Sequence, residues 1–245
     1  MATHSPSPAP RQLDAPELPR VLPFALFLLL TGLQGKLFPG SEYWIYAAKG
    51  VLAGAILWSW RGRILEMRWA CSWEAIVVGL GIAGLWIGLD GRIPSLDRIW
   101  GWGRNLVVGT PIPAIESDKP WNPVAYFSGN SALGWGFVGV RFFIRSIVVP
   151  PLEEVFYRSF FYRFIAQSNF MAMPLGTWNL TAFVVTVAAF GLAHPGQWLA
   201  GIFCGAAFQW LTLRKKRLGD AMTAHAITNF GVGVWAISTG NWQFT

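Results

Sequence analysis

Apolar residues run through this chain in long blocks, and most polar positions fall between the blocks. Runs of roughly 17 to 25 mostly apolar residues cross about 30 Å of hydrocarbon as helix. The pattern predicts helices over about 21–38, 42–60, 73–89, 131–149, 151–166, 178–194, 196–213 and 219–238. The fourth and fifth blocks abut at Pro150-Pro151. Proline lacks the amide donor and clashes with the preceding turn, so a break or sharp kink is expected there. A seven-span alternative merges the two blocks across the prolines. Residues 90–130 interrupt the pattern with proline, glycine and charge, which predicts a long loop holding at most a short surface helix. The first twenty residues hold five prolines and almost no large apolar groups, so a disordered tail is expected. The next stretch, "VLPFALFLLLTGL", comes late for a signal peptide and has no A-x-A-like cleavage site, so it reads as a retained first span. The expected division is a tail at 1–20, N-terminal helices and a polar loop at 21–130, and a closely packed helical core at 131–245.

Composition sharpens this picture. Of 245 residues, 53% are hydrophobic, 16% aromatic and only 13% charged. Soluble domains run near a quarter charged, so the expected class is an all-α polytopic membrane protein, about eight transmembrane helices in one bundle. The partner this implies is the lipid bilayer, and the localisation integral and multi-pass. Fifteen tryptophans fit, because indole rings gather at membrane interfaces. The net charge of +7 is scattered at the ends of apolar runs and forms no aromatic-interleaved groove, which argues against nucleic acid. Cys71 and Cys204 lie far apart and outside any C-x-x-C arrangement, so both read as free thiols in apolar surroundings. Arg61, Arg63 and Arg68 favour one side as cytoplasmic, whereas "RKKR" at 214–217 falls on the other side if all eight spans cross. The two signals conflict.

Ionisable groups inside apolar helices are costly, roughly 2.5–3.5 kcal/mol each at a span centre, and usually face a cavity or a partner. Three places stand out. In "EEVFYR", Glu154 and Arg158 are four apart and can pair on one helical face. Glu153 points about 100° away, without a local cation; in an apolar cavity its charged form is disfavoured, which suits a general base. The same glutamates also suit the first turn of a helix beginning at Pro151. In "FGLAHPGQW", Phe190 and His194 are four apart, and Pro195 ends the helix after the histidine, a position that capping alone also explains. In "AHAITNF", His225 and Asn229 share a face and need hydrogen-bond partners, across helices or from a ligand. Taken together, a carboxylate and a histidine can activate water, while a second histidine and an amide can donate to an oxyanion. That is equipment for hydrolysing a peptide bond without a covalent intermediate.

These residues resemble a known family. Glu153-Glu154-x-x-x-Arg158, Phe190-x-x-x-His194 and His225-x-x-x-Asn229 match, in order and spacing, the three motifs of the CPBP family. That family groups CAAX proteases with bacteriocin-processing and Abi-type, immunity-related membrane proteins. The match covers about residues 131–240. The resemblance implies an intramembrane endopeptidase with eight helices and a water-filled cavity, acting on a membrane-associated protein or peptide, of which prenylated CAAX-type substrates are one kind. It implies Glu153 and His194 as activators of water, His225 and Asn229 as the oxyanion hole, and Glu154 and Arg158 as supports that hold Glu153. The family also includes members linked to exosortase-type protein sorting, a second place the resemblance allows this chain. One departure is Ser159, where the family commonly has glycine.

Other readings use the same residues. Glu153, His194 and His225 would suffice as three zinc ligands with an open fourth position, yet H-E-x-x-H is absent and no cofactor is favoured. "GNSALG" presents Ser131 in a rhomboid-like setting with His194 or His225 as base, although Ser131 also suits a helix N-cap. A non-catalytic immunity or scaffold protein, or an ion or proton relay, would use the buried Glu, Arg and His structurally.

Overall fold

The structure is a computed structural model and describes residues 15–108 and 120–242. Short polar residues set where its helices begin. Ser72 Oγ accepts the Ala75 amide, Asn130 Oδ1 that of Leu133 and Asn179 Oδ1 that of Ala182, each satisfying an amide of the first turn. The long helices are α1 (Leu18–Thr31), α2 (Ser41–Ser59), α3 (Trp73–Leu89), α4 (Leu96–Val108), α5 (Ser131–Ala166), α6 (Leu180–Leu192), α7 (Trp198–Lys215) and α8 (Gly219–Thr239). No strand occurs among the described residues. α4 is the surface helix of the 90–130 loop, and 109–119 of that loop lie outside the described residues, as do 1–14 of the expected tail. α1 takes in residues 18–20 of the expected tail, and Arg20 is buried against Glu66 at 2.8 Å.

The expected break at Pro150-Pro151 does not occur. α5 runs unbroken for 36 residues through both prolines. The missing amides and the proline clash are absorbed by a wide π turn, Ile144–Val148, immediately before them. A second π turn, Val155–Phe161, follows the two glutamates. Among the described residues, α5 alone is a single helix long and apolar enough to cross a membrane; α6 with the Pro195–Lys215 segment passes the same criterion jointly but bends by 104°. The two blocks expected at 131–149 and 151–166 are thus one helix, as the merged alternative has it, and one or two of the described helices meet the length and apolarity criterion for a span.

Merging the two blocks also removes the orientation conflict. With one helix fewer, the basic stretch after α2 and the basic stretch after α7 come to the same end of the bundle. Lys215 pairs with Glu74 at 2.7 Å, and Thr223 Oγ1 donates to the Ala70 carbonyl at 2.9 Å.

α5 sits at the centre. Leu152 and Val155 pack with Ala53, Leu57, Leu218 and Met222 on one side, while Tyr157 packs with Phe24, Phe190, Phe208 and Ala224 on the other. The outer faces of the bundle keep large apolar groups exposed, among them Val51, Trp58, Val77, Leu80 and Val184. An apolar exterior around a partly polar interior is the arrangement that hydrocarbon favours. α8 lies against α3 so closely that a Cβ on Gly79 would come within 2.8 Å of the Ala224 carbonyl; Thr228 Oγ1 donates to the Gly79 carbonyl at 2.9 Å. This contact fixes the rotation of α8 and hence where His225 and Asn229 point.

Candidate active site

The two glutamates of α5 have different surroundings. Glu154 is fully buried. Its Oε2 lies 3.1 Å from Arg158 Nε, an ion pair by distance whose angle does not make a hydrogen bond, and its Oε1 meets His225 Nδ1 at 3.0 Å. Arg158, also fully buried, donates from Nη2 to the Gly205 carbonyl at 3.2 Å and stacks over the Phe190 ring at 4.6 Å. The expected Glu154–Arg158 pair is thus formed, but its other contact is with His225 and not with Glu153. Glu153 lies on the wall of a cavity of about 350 Å³, and its buried Oε2 has no protein hydrogen-bond partner among the described residues. It sits well inside α5, not at a helix start.

His194 belongs to the elbow between α6 and α7. Its Nδ1 is 2.8 Å from the Phe190 carbonyl, one turn back. A carbonyl only accepts, so the ring proton sits on Nδ1 and Nε2 of the neutral imidazole is the acceptor. Trp86 meets the ring edge-on at 5.3 Å. The bend is tight: a Cβ on Gly191 would fall 2.4 Å from Ile202 and 3.0 Å from the Trp198 carbonyl. Gln197 Nε2 donates to Asp90 at 2.6 Å and Trp198 Nε1 to the Pro94 carbonyl at 3.1 Å. The start of the polar loop therefore braces the elbow that presents His194.

Asn229 is set by the proline pair. The Val149 amide bonds to the Ile144 carbonyl through the π turn, and Pro150 has no amide to give. The Arg145 carbonyl accordingly takes a side-chain donor, Asn229 Nδ2 at 2.8 Å. An amide nitrogen carries two hydrogens, so one remains for the cavity.

Glu153, His194, His225 and Asn229, from two helices and one elbow, all line this cavity. Glu154 and Arg158 lie behind it. Ser131 does not line it: it opens α5, 22 residues before Glu153, roughly 33 Å along a straight helix. Nor is Ser131 the cap, which is Asn130. No cluster of three or more His, Cys, Asp or Glu with metal-binding geometry occurs among the described residues, so Glu153, His194 and His225 share the cavity without forming a ligand set. Both cysteines are unpaired, as expected; Cys204 is buried and Cys71 is exposed. Sequence reasoning passed over four further cavity residues, Lys49, Arg141, Arg145 and Gln197. The first three carried a signal, since each is a cation inside an apolar run.

Comparison with known proteins identifies one segment of the chain. Residues 132–231 match the family model described as Type II CAAX prenyl endopeptidase Rce1-like. The chain is also 27% identical over 152 residues to human Proline-rich transmembrane protein 3, a match covering 59% of this chain and 14% of that protein. No solved structure matches the chain.

Proposed function

We infer, from the match of residues 132–231 to the family model described as Type II CAAX prenyl endopeptidase Rce1-like, that the chain is an intramembrane endopeptidase that hydrolyses a peptide bond of a membrane-associated substrate. The observation that supports this most is the convergence of Glu153, His194, His225 and Asn229 on one cavity, with Glu153 Oε2 unpartnered on its wall. In this reading Glu153 takes a proton from water, and His194 Nε2 accepts the other hydrogen bond and aims the oxygen at the scissile carbonyl. The water oxygen bonds to the carbonyl carbon, and the carbonyl π electrons move onto its oxygen. Asn229 Nδ2 donates to that oxyanion. His225 donates a hydrogen bond from Nδ1 to Glu154 and, as the imidazolium, a second from Nε2 to the oxyanion, with the Glu154 carboxylate offsetting its charge. Collapse re-forms the carbonyl, breaks the C–N bond and returns the proton from Glu153 to the leaving amine. Each step uses these side chains, of which Glu153, His194 and His225 are not placed as a metal-ligand set.

A prenylated substrate is supported by a second feature. An apolar groove of about 620 Å³ runs between α2 and α5, lined by Leu57, Trp58, Leu65, Phe143, Ile147 and Val148, and would take an isoprenoid chain. The test is cleavage of a fluorogenic, S-farnesylated peptide ending in C-a-a-X by the full chain in vesicles. Wild-type protein cleaves it and keeps doing so in EDTA, and His194→Gln loses a factor of about 10²–10³ while staying folded. Full cleavage by His194→Gln contradicts the mechanism, inactivation by chelator reversed by zinc favours the metal alternative, and no cleavage of a folded wild type favours a non-catalytic role.

A further inference from the structure

The cavity holds more positive charge than the proposed chemistry uses. Lys49, Arg141 and Arg145 line it, against Glu153 as the one carboxylate among its described lining residues. Lys49, on α2, is 4% exposed. It donates to Thr31 Oγ1 at 2.7 Å and to Gln34 Oε1, both neutral acceptors, and its ammonium rests 4.3 Å from the Phe27 ring and 4.9 Å from that of Tyr46. Arg141, on α5, is held between the Tyr46 ring at 4.4 Å and the Trp121 ring at 4.2 Å, and its buried Nε has no hydrogen-bond partner. Among the described residues neither Lys49 nor Arg141 has a carboxylate within 4.0 Å. One aromatic ring, Tyr46, thus carries two cations.

Two like charges withdrawn from water onto one ring are costly, several kcal/mol per ion in general, unless an anion joins them. Aromatic faces hold the cations in place but do not neutralise them. A guanidinium clamped between two rings is pre-oriented, and its planar fork matches a planar carboxylate. The cavity volume lies at the small end of ligand pockets, roughly 300–1,000 Å³, which suits the end of a peptide better than a chain running through. We propose that Lys49 and Arg141 form a receptor for the terminal carboxylate of the substrate, so that the bond presented to Glu153 and His194 lies a short distance before a free C-terminus. This site rests on the hydrolytic reading for its substrate class. Lys49 lies outside the family-matched segment, which gives the N-terminal helices a role in specificity.

The experiment separates binding from cleavage. The probe is a fluorescent S-farnesylated peptide ending in C-a-a-X, made as the free acid and as the C-terminal amide, which differ by one charge. Its affinity is measured by fluorescence anisotropy on full-length His194→Gln protein in phosphatidylcholine nanodiscs, with Glu153 retained. The acid is expected to bind at least about ten-fold tighter than the amide, the scale of a charge-assisted hydrogen bond. Adding Arg141→Gln or Lys49→Gln removes most of that ratio, and Arg141→Lys restores part of it. Equal affinities for acid and amide overturn the proposal, as does a ratio that survives both substitutions. Loss of the acid preference on replacing phosphatidylcholine by phosphatidylglycerol assigns the site to lipid headgroups and overturns it too. An acid preference in a protein that cleaves neither peptide sustains the carboxylate site and defeats the hydrolase reading; cleavage of both at equal efficiency and affinity does the reverse.

Discussion

Two clusters of charge sit on α5, built from the same residue types and treated oppositely. Near the basic end of the bundle, Glu66 of the 64–72 segment is enclosed by Arg20, Ser159 and Arg163. Arg20 Nη2 donates to Glu66 Oε2 at 2.9 Å, while Arg20 Nε and Arg163 Nη2 each reach Oε1 at 2.9 Å, with the Ser159 hydroxyl donating to the same oxygen. The remaining guanidinium groups find the Pro16 carbonyl at 2.6 Å and the Met173 carbonyl at 3.3 Å. Around Glu153, by contrast, Glu153 Oε2 and Arg141 Nε have no hydrogen-bond partner and Lys49 has no carboxylate within 4.0 Å among the described residues, and all three groups face a cavity. A closed network ties α1, the 64–72 segment and α5 together and leaves nothing for a ligand. An open one bears a desolvation cost that a substrate can relieve. The difference separates a clasp from a site.

Glu66→Gln attacks the clasp and should show the largest effect on stability. It leaves two buried arginines without their carboxylate, a loss of about 3–5 kcal/mol, seen as a lower midpoint in thermal unfolding of the detergent-solubilised chain; an unchanged midpoint would blur the distinction. Acid does the same reversibly. Burial works to raise the Glu66 pKa, but Arg20 and the Ser159 hydrogen bond outweigh it and hold the carboxyl below its ordinary value. A depressed pKa contributes stability that is fully present above the unfolded value, about 4.3, and lost as pH falls through the folded one. The clasp should therefore hold at pH 5 and weaken only below about 4, and unfolding midpoints measured across that window check it.

Ser159→Gly, which restores the residue common in the resembled family, removes the hydroxyl shared by Arg20, Glu66 and Arg163. It should cost about 1–3 kcal/mol of stability with cleavage per folded molecule unchanged. Pro150→Ala is the matching change at the site. It supplies an amide that competes for the Arg145 carbonyl and so loosens Asn229; a fall of about ten-fold in kcat, with little change in KM or unfolding midpoint, is the expected signature.

Much of this was legible along the chain. α3 is found at the residues its apolar block predicted, and α2, α6, α7 and α8 start or end within two or three residues of theirs. The three motifs pointed to the residues that meet at the cavity, because groups four apart on apolar helices must face inward. Pro150-Pro151 misled, since a local rule about proline takes no account of a π turn that re-routes the neighbouring bonds. That single misplacement also produced the false conflict between the two basic stretches. The pairing of Glu154 with His225, 71 residues away, and the gathering of Lys49 with Arg141 depend on helix packing that no local pattern encodes.

The contrast between clasp and site comes to rest on Glu153. Turnover of the farnesylated peptide by purified, folded Glu153→Gln, normalised to wild type, tests it most directly. The expected result is a loss of about 10²–10⁴ in kcat with folded yield and peptide affinity preserved, as for removal of a general base. Cleavage at the wild-type rate would contradict the account.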